Sequence, residues 1–403
     1  MKIKSEKDNL NIIALCFAVF GILFAIWTFT GCWPWLHQPY NSYVLQAQSW
    51  LSGRLDLAEN YSHLEIAVYQ GKYYISFPPF PSYLMLPFVL IGWDNPDGFI
   101  ALVSALAAAV YAYKILGLFN IRNERAILYS LFLTVGSNWL FTAQTAWVWF
   151  IAQNLAFTLS LAAIYYALCK KAGISLTLWA CAVGCRPLDV MYLPVILCII
   201  YQKSKQETAD ITVIEIIKAK WKCVIPGAVI AITYMALNYG RFDNPFEFGH
   251  NYLPEFMQAQ NGQFSLSYIG ENLKALIRFP LISFLGPWKY QAFNGTNIFI
   301  VSPIFITYII YSVYAFIKKK ADRRFLVIIA IMMTAELIAI TAHKTMGGSQ
   351  FGNRYTNDVL PMAFLGIATS MPKDTKYDRC NAVLLFFALT VNSLGSVLYY
   401  LQY

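Results

Sequence analysis

Two carboxylates in one hydrophilic segment could act as a base for an incoming hydroxyl group. Glu65 stands just before the stretch Gly71-Lys72-Tyr73-Tyr74, and Asp56 lies a little earlier in the same segment. A positioned carboxylate can accept the proton of a hydroxyl group while a new bond forms. We favour Glu65 as the base and keep Asp56 as the second choice. Glu65 could instead be a solvated carboxylate or the ion-pair partner of Lys72.

Two arginines stand where a phosphate group could be bound. Arg354 follows a glycine-rich stretch, 347–352, whose backbone N–H groups could also approach a phosphate. Arg186 lies between two apolar segments that are too short to cross a membrane fully, which indicates a polar cavity at that point. A guanidinium group binds phosphate bidentately and stays protonated. The alternatives are an interfacial anchor for Arg354 and an ion pair with Asp189 for Arg186.

Other polar side chains could complete such a site. His343 and Lys344 precede Arg354 and could assist it, although a lone histidine near a helix end is more often structural. Arg241 begins a segment rich in aromatic and amide residues, and it could bind a ligand or only form an ion pair with Asp243 or Glu247. Such a composition suits a carbohydrate or prenyl chain, and equally a helix that lies on lipid headgroups.

The elements that must position these residues are membrane helices. Hydrophobic residues make up 58% of the 403 positions and charged residues only 13%, so we predict a single transmembrane domain over 1–403. Apolar runs near the length needed to cross a bilayer predict about eleven transmembrane helices in an all-α polytopic fold. The predicted spans are 11–30, 97–118, 125–142, 147–169, 174–185, 188–201, 223–239, 297–317, 325–342, 355–371 and 381–401.

Basic residues predict the orientation of these spans. Placing the N-terminus in the cytoplasm puts most of the 30 lysines and arginines on the cytoplasmic side, as the positive-inside rule requires. Two long loops, 31–96 and 240–296, then lie outside together with every candidate residue named above. The net charge of +9 follows from membrane insertion, so it requires no nucleic-acid partner.

The first outer loop has local structure of its own. Apolar residues spaced three and four apart predict a juxtamembrane helix over 40–52, with Gly53 as its stop. Residues 66–75 are centred on Gln70-Gly71 and predict a small hairpin. The apolar run 80–92 is too short to cross a bilayer and predicts an interfacial helix.

In layout the chain resembles the polytopic glycosyltransferases of the GT-C fold, including protein O-mannosyltransferases and lipid A aminoarabinose transferases. The resemblance covers nearly the whole chain and implies sugar transfer from a polyprenyl-phosphate carrier on the outer face. It implies that Lys72, Tyr74 and Asn41 contact the substrate. The similar stretches are Tyr43 to Ala47, Gly53, Gly71-Lys72-Tyr73-Tyr74, Pro78-Pro79, Gly184-Cys185-Arg186-Pro187, 239–249 and Phe351-Gly352-Asn353-Arg354-Tyr355.

One departure from that group concerns the base. Many relatives carry an acid at the start of the first loop helix, where this chain has Tyr40-Asn41, and neither side chain accepts a proton near neutral pH. Relatives often place a second acid after the third span, and 144–149 has none here. Either the base comes from elsewhere in the loop, as Glu65 or Asp56, or the protein has lost activity.

Three functions therefore stay open, of which we favour the glycosyltransferase. A flippase or transporter for lipid-linked precursors predicts buried charges and an internal repeat, yet only Glu336 is a clear buried carboxylate and no repeat is apparent. An inactive scaffold that binds lipid-linked sugar is the third. Four scattered histidines predict no metal site, and beyond the lipid-linked donor we assign no cofactor. The sugar, the acceptor (glycan, lipid or protein), the stereochemistry, metal dependence and oligomeric state are not fixed by the sequence.

Overall fold

The protein is a bundle of helices with two small hairpins. The computed structural model describes residues 2–279, 281–283, 289–291 and 295–402, and side chains within 6–279 and 295–402. Part of the predicted second outer loop therefore lies outside the described residues. In the first half the helices are α1 Lys2–Thr30, α2 Ser42–Leu51, α3 Phe80–Leu90, α4 Asp97–Leu118, α5 Asn123–Leu133, α6 Trp139–Thr142, α7 Val148–Leu168, α8 Ala172–Val183 and α9 Tyr192–Glu207.

The second half continues the bundle after a basic connection. Its helices are α10 Val213–Lys220, α11 Ile225–Phe242, α12 Pro254–Met257, α13 Ile269–Ile277, α14 Ile298–Val301, α15 Ile304–Ile317, α16 Arg323–Thr341, α17 Leu360–Ser370 and α18 Lys376–Tyr400. Short 3-10 turns precede α9, α11 and α17, at Pro187–Met191, Trp221–Val224 and Arg354–Val359.

The hairpin predicted at 66–75 is confirmed. Strand β1, Ile66–Tyr69, pairs antiparallel with β2, Lys72–Ile75. Gln70 and Gly71 both have positive φ, 49° and 74°, as a two-residue hairpin turn requires. The second hairpin joins β3, Leu281–Ser283, to β4, Lys289–Gln291. The juxtamembrane helices predicted at 40–52 and 80–92 correspond to α2 and α3.

The predicted count of eleven crossings is not confirmed. Within the described residues, the helices that are long and apolar enough to cross a membrane are Glu6–Thr30, Asp97–Leu118, Val148–Leu168, Val213–Phe242, Arg323–Thr341 and Lys376–Tyr400. Shorter apolar helices are α3, α8 and α15. The predicted span 125–142 is interrupted because α5 ends at Leu133, and Ser137 Oγ donates to the Leu133 carbonyl oxygen at 2.6 Å. Hydroxyl groups that bond the backbone offer an alternative to the helical ladder.

The centre of the bundle is α7. It packs against α4, whose small residues Ala105, Ala108, Ala109 and Ala112 are fully buried and allow close approach of the two backbones. Because α7 is mostly buried, its polar residues must bond inside the protein. Its N-terminal end, with Val148, Trp149, Phe150 and Ala152, forms one wall of a cavity.

Candidate functional site

A cavity of about 630 Å³ lies where several chain connections and helix ends meet. That volume is within the usual range for small-molecule sites. Its lining comes from the start of α2, the residue before β1, the start of α7, the turn after α8, the segment between α11 and α13, and the stretch from the end of α16 to Tyr355. Glu65, Arg186, His343 and Arg354 all line it, so the structure brings together four of the predicted site residues.

Arg186 is held by a carboxylate that the sequence did not indicate. Its Nε and Nη2 atoms donate to Asp358 Oδ2 at 3.0 and 2.6 Å. The predicted alternative of a pair with Asp189 is wrong, because Asp189 Oδ2 instead accepts from Ser160 Oγ at 2.7 Å. Asp358 is buried and neutralises the charge of Arg186, so this guanidinium can direct hydrogen bonds but adds little net charge.

Arg354 keeps its charge without such a partner. Its side chain is buried, and its Nε and Nη2 atoms donate to the Gly347 carbonyl oxygen, each at 3.3 Å. No ion pair with Arg354 is found among the residues whose side chains are described. Its guanidinium carbon lies 4.6 Å from the centre of the Tyr355 ring, and that of Arg186 lies 4.7 Å from the same ring. A buried cation without a counterion favours an anionic ligand.

Gln153 links the two arginines. Its Nε2 atom donates to the Arg354 carbonyl oxygen and to Asp358 Oδ1, both at 2.6 Å. Since Asp358 also holds Arg186, one continuous set of hydrogen bonds sets the spacing of the two guanidinium groups. Tyr192 donates from its hydroxyl group to the Asp358 carbonyl oxygen and fixes the same turn.

Glu65 is the carboxylate that the cavity offers as a base. It stands at the cavity wall immediately before β1, half-buried. Burial raises the pKa of Glu65, while the Trp149 side chain and the charge of Arg354 lower it and Glu255 raises it. The predicted alternative of an ion pair with Lys72 does not occur among the described side chains. A carboxyl group of raised pKa near a cation is suited to accept a proton.

Two histidines in the cavity are uncharged near neutral pH. Burial lowers the pKa of His343 to about 4, and that of His250 to about 3. Both rings contact the Phe256 ring, with centroids 5.4 and 6.0 Å apart respectively. His343 Nδ1 lies 2.7 Å from the Thr345 carbonyl oxygen and 3.2 Å from Thr345 N, and its Nε2 atom lies 3.3 Å from Gln263 Nε2. Neutral imidazoles next to aromatic rings can hydrogen-bond sugar hydroxyl groups.

Other predicted site residues in the first loop lie away from the cavity. Asp56 forms an exposed ion pair with Arg54 at 2.8 Å, and Lys72 is exposed at the hairpin turn. Tyr74 is buried against Ala67 and Phe242 as part of the hairpin core. Asn41 accepts the first backbone hydrogen bonds of α2 through its carbonyl oxygen, and its neighbour Tyr40 lines the cavity instead.

Arg241 and Lys344 have structural partners. Arg241 is buried and donates from Nη1 to the Ile75 carbonyl oxygen at 2.9 Å and from Nη2 to Asn238 Oδ1 at 2.7 Å. The alternative prediction, that Arg241 forms an ion pair with Asp243 or Glu247, is wrong for the described structure. Glu247 instead accepts hydrogen bonds from Gly249 N and Asn251 Nδ2. Lys344 Nζ donates to the Glu255 carbonyl oxygen at 2.6 Å and ties the second loop to the end of α16.

Several residues of the site had weak sequence signals. Asp358 follows Arg354 by four positions in a polar turn, and an acid at that spacing could have been paired with an arginine. Gln153 sits in an apolar run, where a lone amide is a signal of buried hydrogen bonding. No group of three or more histidine, cysteine or acidic residues that could hold a metal ion occurs in the part of the chain that the structure describes.

Comparison with known proteins bears on the fold. No protein-family model matches the chain. No curated protein matches it in sequence. Among solved structures it is similar to ArnT from Cupriavidus metallidurans in the apo state, with a TM-score of 0.52 and 10% identity over 96% of this chain and 76% of ArnT. The chain has a GT-C-like fold.

The GT-C-like fold confirms the predicted fold class. Together with the long apolar helices it makes the chain an integral membrane protein. ArnT is a lipid A aminoarabinose transferase. At 10% identity the likeness concerns the fold, so the chemistry of this chain must be argued from its own cavity.

Proposed function

We propose that the protein is a membrane glycosyltransferase that moves a sugar from a polyprenyl-phosphate carrier to an acceptor at the outer face of the membrane. The observation that carries the proposal is the presence in one cavity of a half-buried carboxyl group, Glu65, and a buried arginine, Arg354, that forms no ion pair among the described side chains. A GT-C-like fold and its similarity to a lipid A aminoarabinose transferase support the same class of reaction.

In this proposal the two arginines bind the phosphate. The phosphodiester of the donor carries one negative charge and gains negative charge as the sugar departs. Arg354 supplies the matching positive charge, while Arg186 supplies directed N–H groups because Asp358 already balances its charge. Preorganised donors of this kind stabilise charge that develops in the transition state.

Glu65 acts on the acceptor. An acceptor hydroxyl group attacks the anomeric carbon, its proton passes to the Glu65 carboxylate, and the bond from the anomeric carbon to the phosphate oxygen breaks. The bonding electrons leave with the phosphate oxygen, which is held by Arg354. The neutral His250 and His343, with Phe256 between them, contact the sugar ring and its hydroxyl groups.

The distribution of charge supports an extracytoplasmic site with the N-terminus in the cytoplasm. Each chain segment that lines the cavity belongs to the side that the positive-inside rule assigns to the exterior. Connections rich in lysine and arginine, such as 170–171, 203–222 and 318–324, contribute no residue to it. A lipid-borne donor could then present its headgroup to the cavity from the outer leaflet.

Turnover by the purified protein tests the proposal. The wild type in nanodiscs is incubated with a radiolabelled polyprenyl-phosphate sugar and candidate lipid, glycan and peptide acceptors, beside Glu65→Gln and Arg354→Ala. Asp56→Asn is the matched control, because it removes an acid of the same loop that lies outside the cavity. We expect transfer by the wild type and the control only.

The other outcomes assign the remaining functions. Donor binding by the wild type without transfer to any acceptor would identify an inactive scaffold, in keeping with the missing acid at Asn41. Movement of the intact donor between leaflets would identify a flippase. Full activity of Glu65→Gln would remove Glu65 from the mechanism.

A further inference from the structure

Helix α10 presents an apolar surface that the described part of the chain leaves exposed. The helix begins with a capping box, in which the Thr212 side chain and Glu215 bond each other's backbone N–H groups. Ile216 is its one buried residue. The capping box fixes the N-terminus of α10. The helix is therefore folded and contacts the bundle through the narrow face that carries Ile216.

The exposed apolar residues of this region fall on one side. Val213, Ile214 and Ile217 of α10 are 57%, 66% and 61% exposed, and Trp221 in the following turn is 54% exposed. At 100° per residue these four positions span an arc of about 100° on a helix. Four large apolar side chains together on an exposed arc indicate an environment other than water.

Lysines border that arc on both sides. On the same helical projection Lys220 lies about 20° before Val213, and Lys218 lies about 40° beyond Ile214 on the other edge. Lys222 follows in the 3-10 turn, about 80° beyond that edge. Lys220 also lines a small recess with Lys170, Lys203 and Glu207. Glu207 forms an ion pair with Lys170 at 3.0 Å, so the recess keeps a net positive charge. An apolar face flanked by lysines allows the methylene stems to lie along lipid while the ammonium groups reach phosphates.

The position of α10 in the chain is consistent with a location at the membrane surface. Residues 213–242 would form a helix about 45 Å long if continuous, whereas the hydrocarbon core of a bilayer is about 30 Å thick. The 3-10 turn Trp221–Val224 separates α10 from α11. With α11 in the hydrocarbon, α10 therefore lies at the level of the headgroups.

We propose that α10 is an interfacial helix that binds anionic phospholipids of the leaflet opposite the cavity. Its apolar arc enters the boundary between headgroups and acyl chains, and Lys218, Lys220 and Lys222 bind the lipid phosphates. Each such lysine contributes about fivefold to the affinity for an anionic surface. This surface is independent of the proposed transfer reaction.

Hydrogen exchange of the full-length protein tests this proposal. Exchange of the amides in 211–222 is compared in nanodiscs of phosphatidylcholine alone and of phosphatidylcholine with phosphatidylglycerol. We expect slower exchange in the anionic discs, and for Lys218→Gln/Lys222→Gln a gain in protection on adding phosphatidylglycerol that is about 25-fold smaller, because two lysines are lost. Lys318→Gln/Lys319→Gln is the control with the same charge change in another connection, and it should behave as the wild type does.

A second variant tests the apolar arc. Ile217→Ser should speed the exchange of 211–222 in both kinds of disc while the response to phosphatidylglycerol remains. Equal exchange of 211–222 in neutral and anionic discs, or an equal effect of the two lysine pairs, would overturn the proposal. Protection that appears only when another protein copurifies would also overturn it, because the surface would then bind a protein.

Discussion

Replacing Gln153 with leucine should separate the positioning of the arginines from the stability of the bundle. Gln153 donates two hydrogen bonds of 2.6 Å, to the Arg354 carbonyl oxygen and to Asp358 Oδ1. Gln153→Leu removes both donors and leaves two buried acceptors short of a partner. Arg354 and Arg186 then lose the connection that sets their spacing.

The size of the effect follows from these contacts. Each buried acceptor left unsatisfied costs about 1–3 kcal/mol, and part of this is offset because Gln153 Oε1 has no partner in the described structure. We expect a loss of about 2 kcal/mol in the free energy of unfolding. A shift of about 1 Å in catalytic groups lowers rates by about 10²-fold, so we expect kcat/KM for donor transfer to fall by about that factor.

Thr158→Val provides the matched control on the same helix. Thr158 Oγ1 donates to the Ser104 carbonyl oxygen and accepts from Ser104 Oγ, both at 3.0 Å, and it lies about 7.5 Å further along α7 than Gln153. This variant loses two buried hydrogen bonds and should keep kcat/KM within about twofold. The assay is donor turnover in nanodiscs, with thermal unfolding measured on the same samples.

The isosteric change Gln153→Glu adds a measurement, the pH dependence of activity, that should not change if the role of Gln153 is purely structural. An ionised carboxylate cannot donate to Asp358, whereas the protonated form can. Its activity relative to that of the wild type at the same pH should therefore recover as the pH falls. Equal losses of activity in Gln153→Leu and Thr158→Val, or an unchanged pH profile in Gln153→Glu, would refute the positioning role.

Three further predictions concern the cavity. Because Glu65 must be deprotonated to act as the base and its pKa is raised, kcat/KM should fall as the pH drops through that raised pKa. Glu255→Gln removes a nearby negative charge and should move this fall in kcat/KM to lower pH. A fall that stays at the same pH in Glu255→Gln would contradict the assignment of Glu65 as the base. Arg354→Lys should raise KM for the donor by about 10-fold and Arg354→Ala by about 100-fold, as expected for charge-assisted hydrogen bonds, whereas Arg54→Ala, outside the cavity, should leave it unchanged. His343→Gln should leave the pH profile between about 5 and 8 unaltered, because the pKa of His343 is about 4, and a lost limb in that range would show that the imidazole titrates during the reaction.

Local sequence patterns predict much of the fold. The hairpin over 66–75 followed from Gln70-Gly71, since both residues accept positive φ. The helix limits of Asp97–Leu118 agree with the predicted span because its apolar run has clear ends. The length of the apolar run predicts one helix over 125–142, whereas α5 ends at Leu133. The length of an apolar run does not show where a hydroxyl group will bond the backbone, as Ser137 Oγ does.

The candidate site was predicted only in part, because its contacts join residues far apart in the chain. Arg186 and Arg354 were recognised as charges in apolar surroundings, a property that the sequence displays. That Asp358 is the partner of Arg186, 172 positions away, depends on how the turn after α8 packs against the turn before α17. For the same reason Arg241 is as plausible a ligand-binding residue as Arg354 in the sequence, whereas in the structure it donates to the Ile75 carbonyl oxygen of β2 and to Asn238 Oδ1.

The position of a bound donor shows whether the cavity with Arg354 and Glu65 is the donor site. A cryo-electron microscopy structure of the wild type in nanodiscs with a non-hydrolysable phosphonate analogue of a polyprenyl-phosphate sugar would show it. We predict phosphonate oxygens within about 3 Å of the Arg354 guanidinium, with the anomeric carbon on the side of Glu65. A phosphonate bound outside the cavity, for example against Lys72 or α10, would contradict the account.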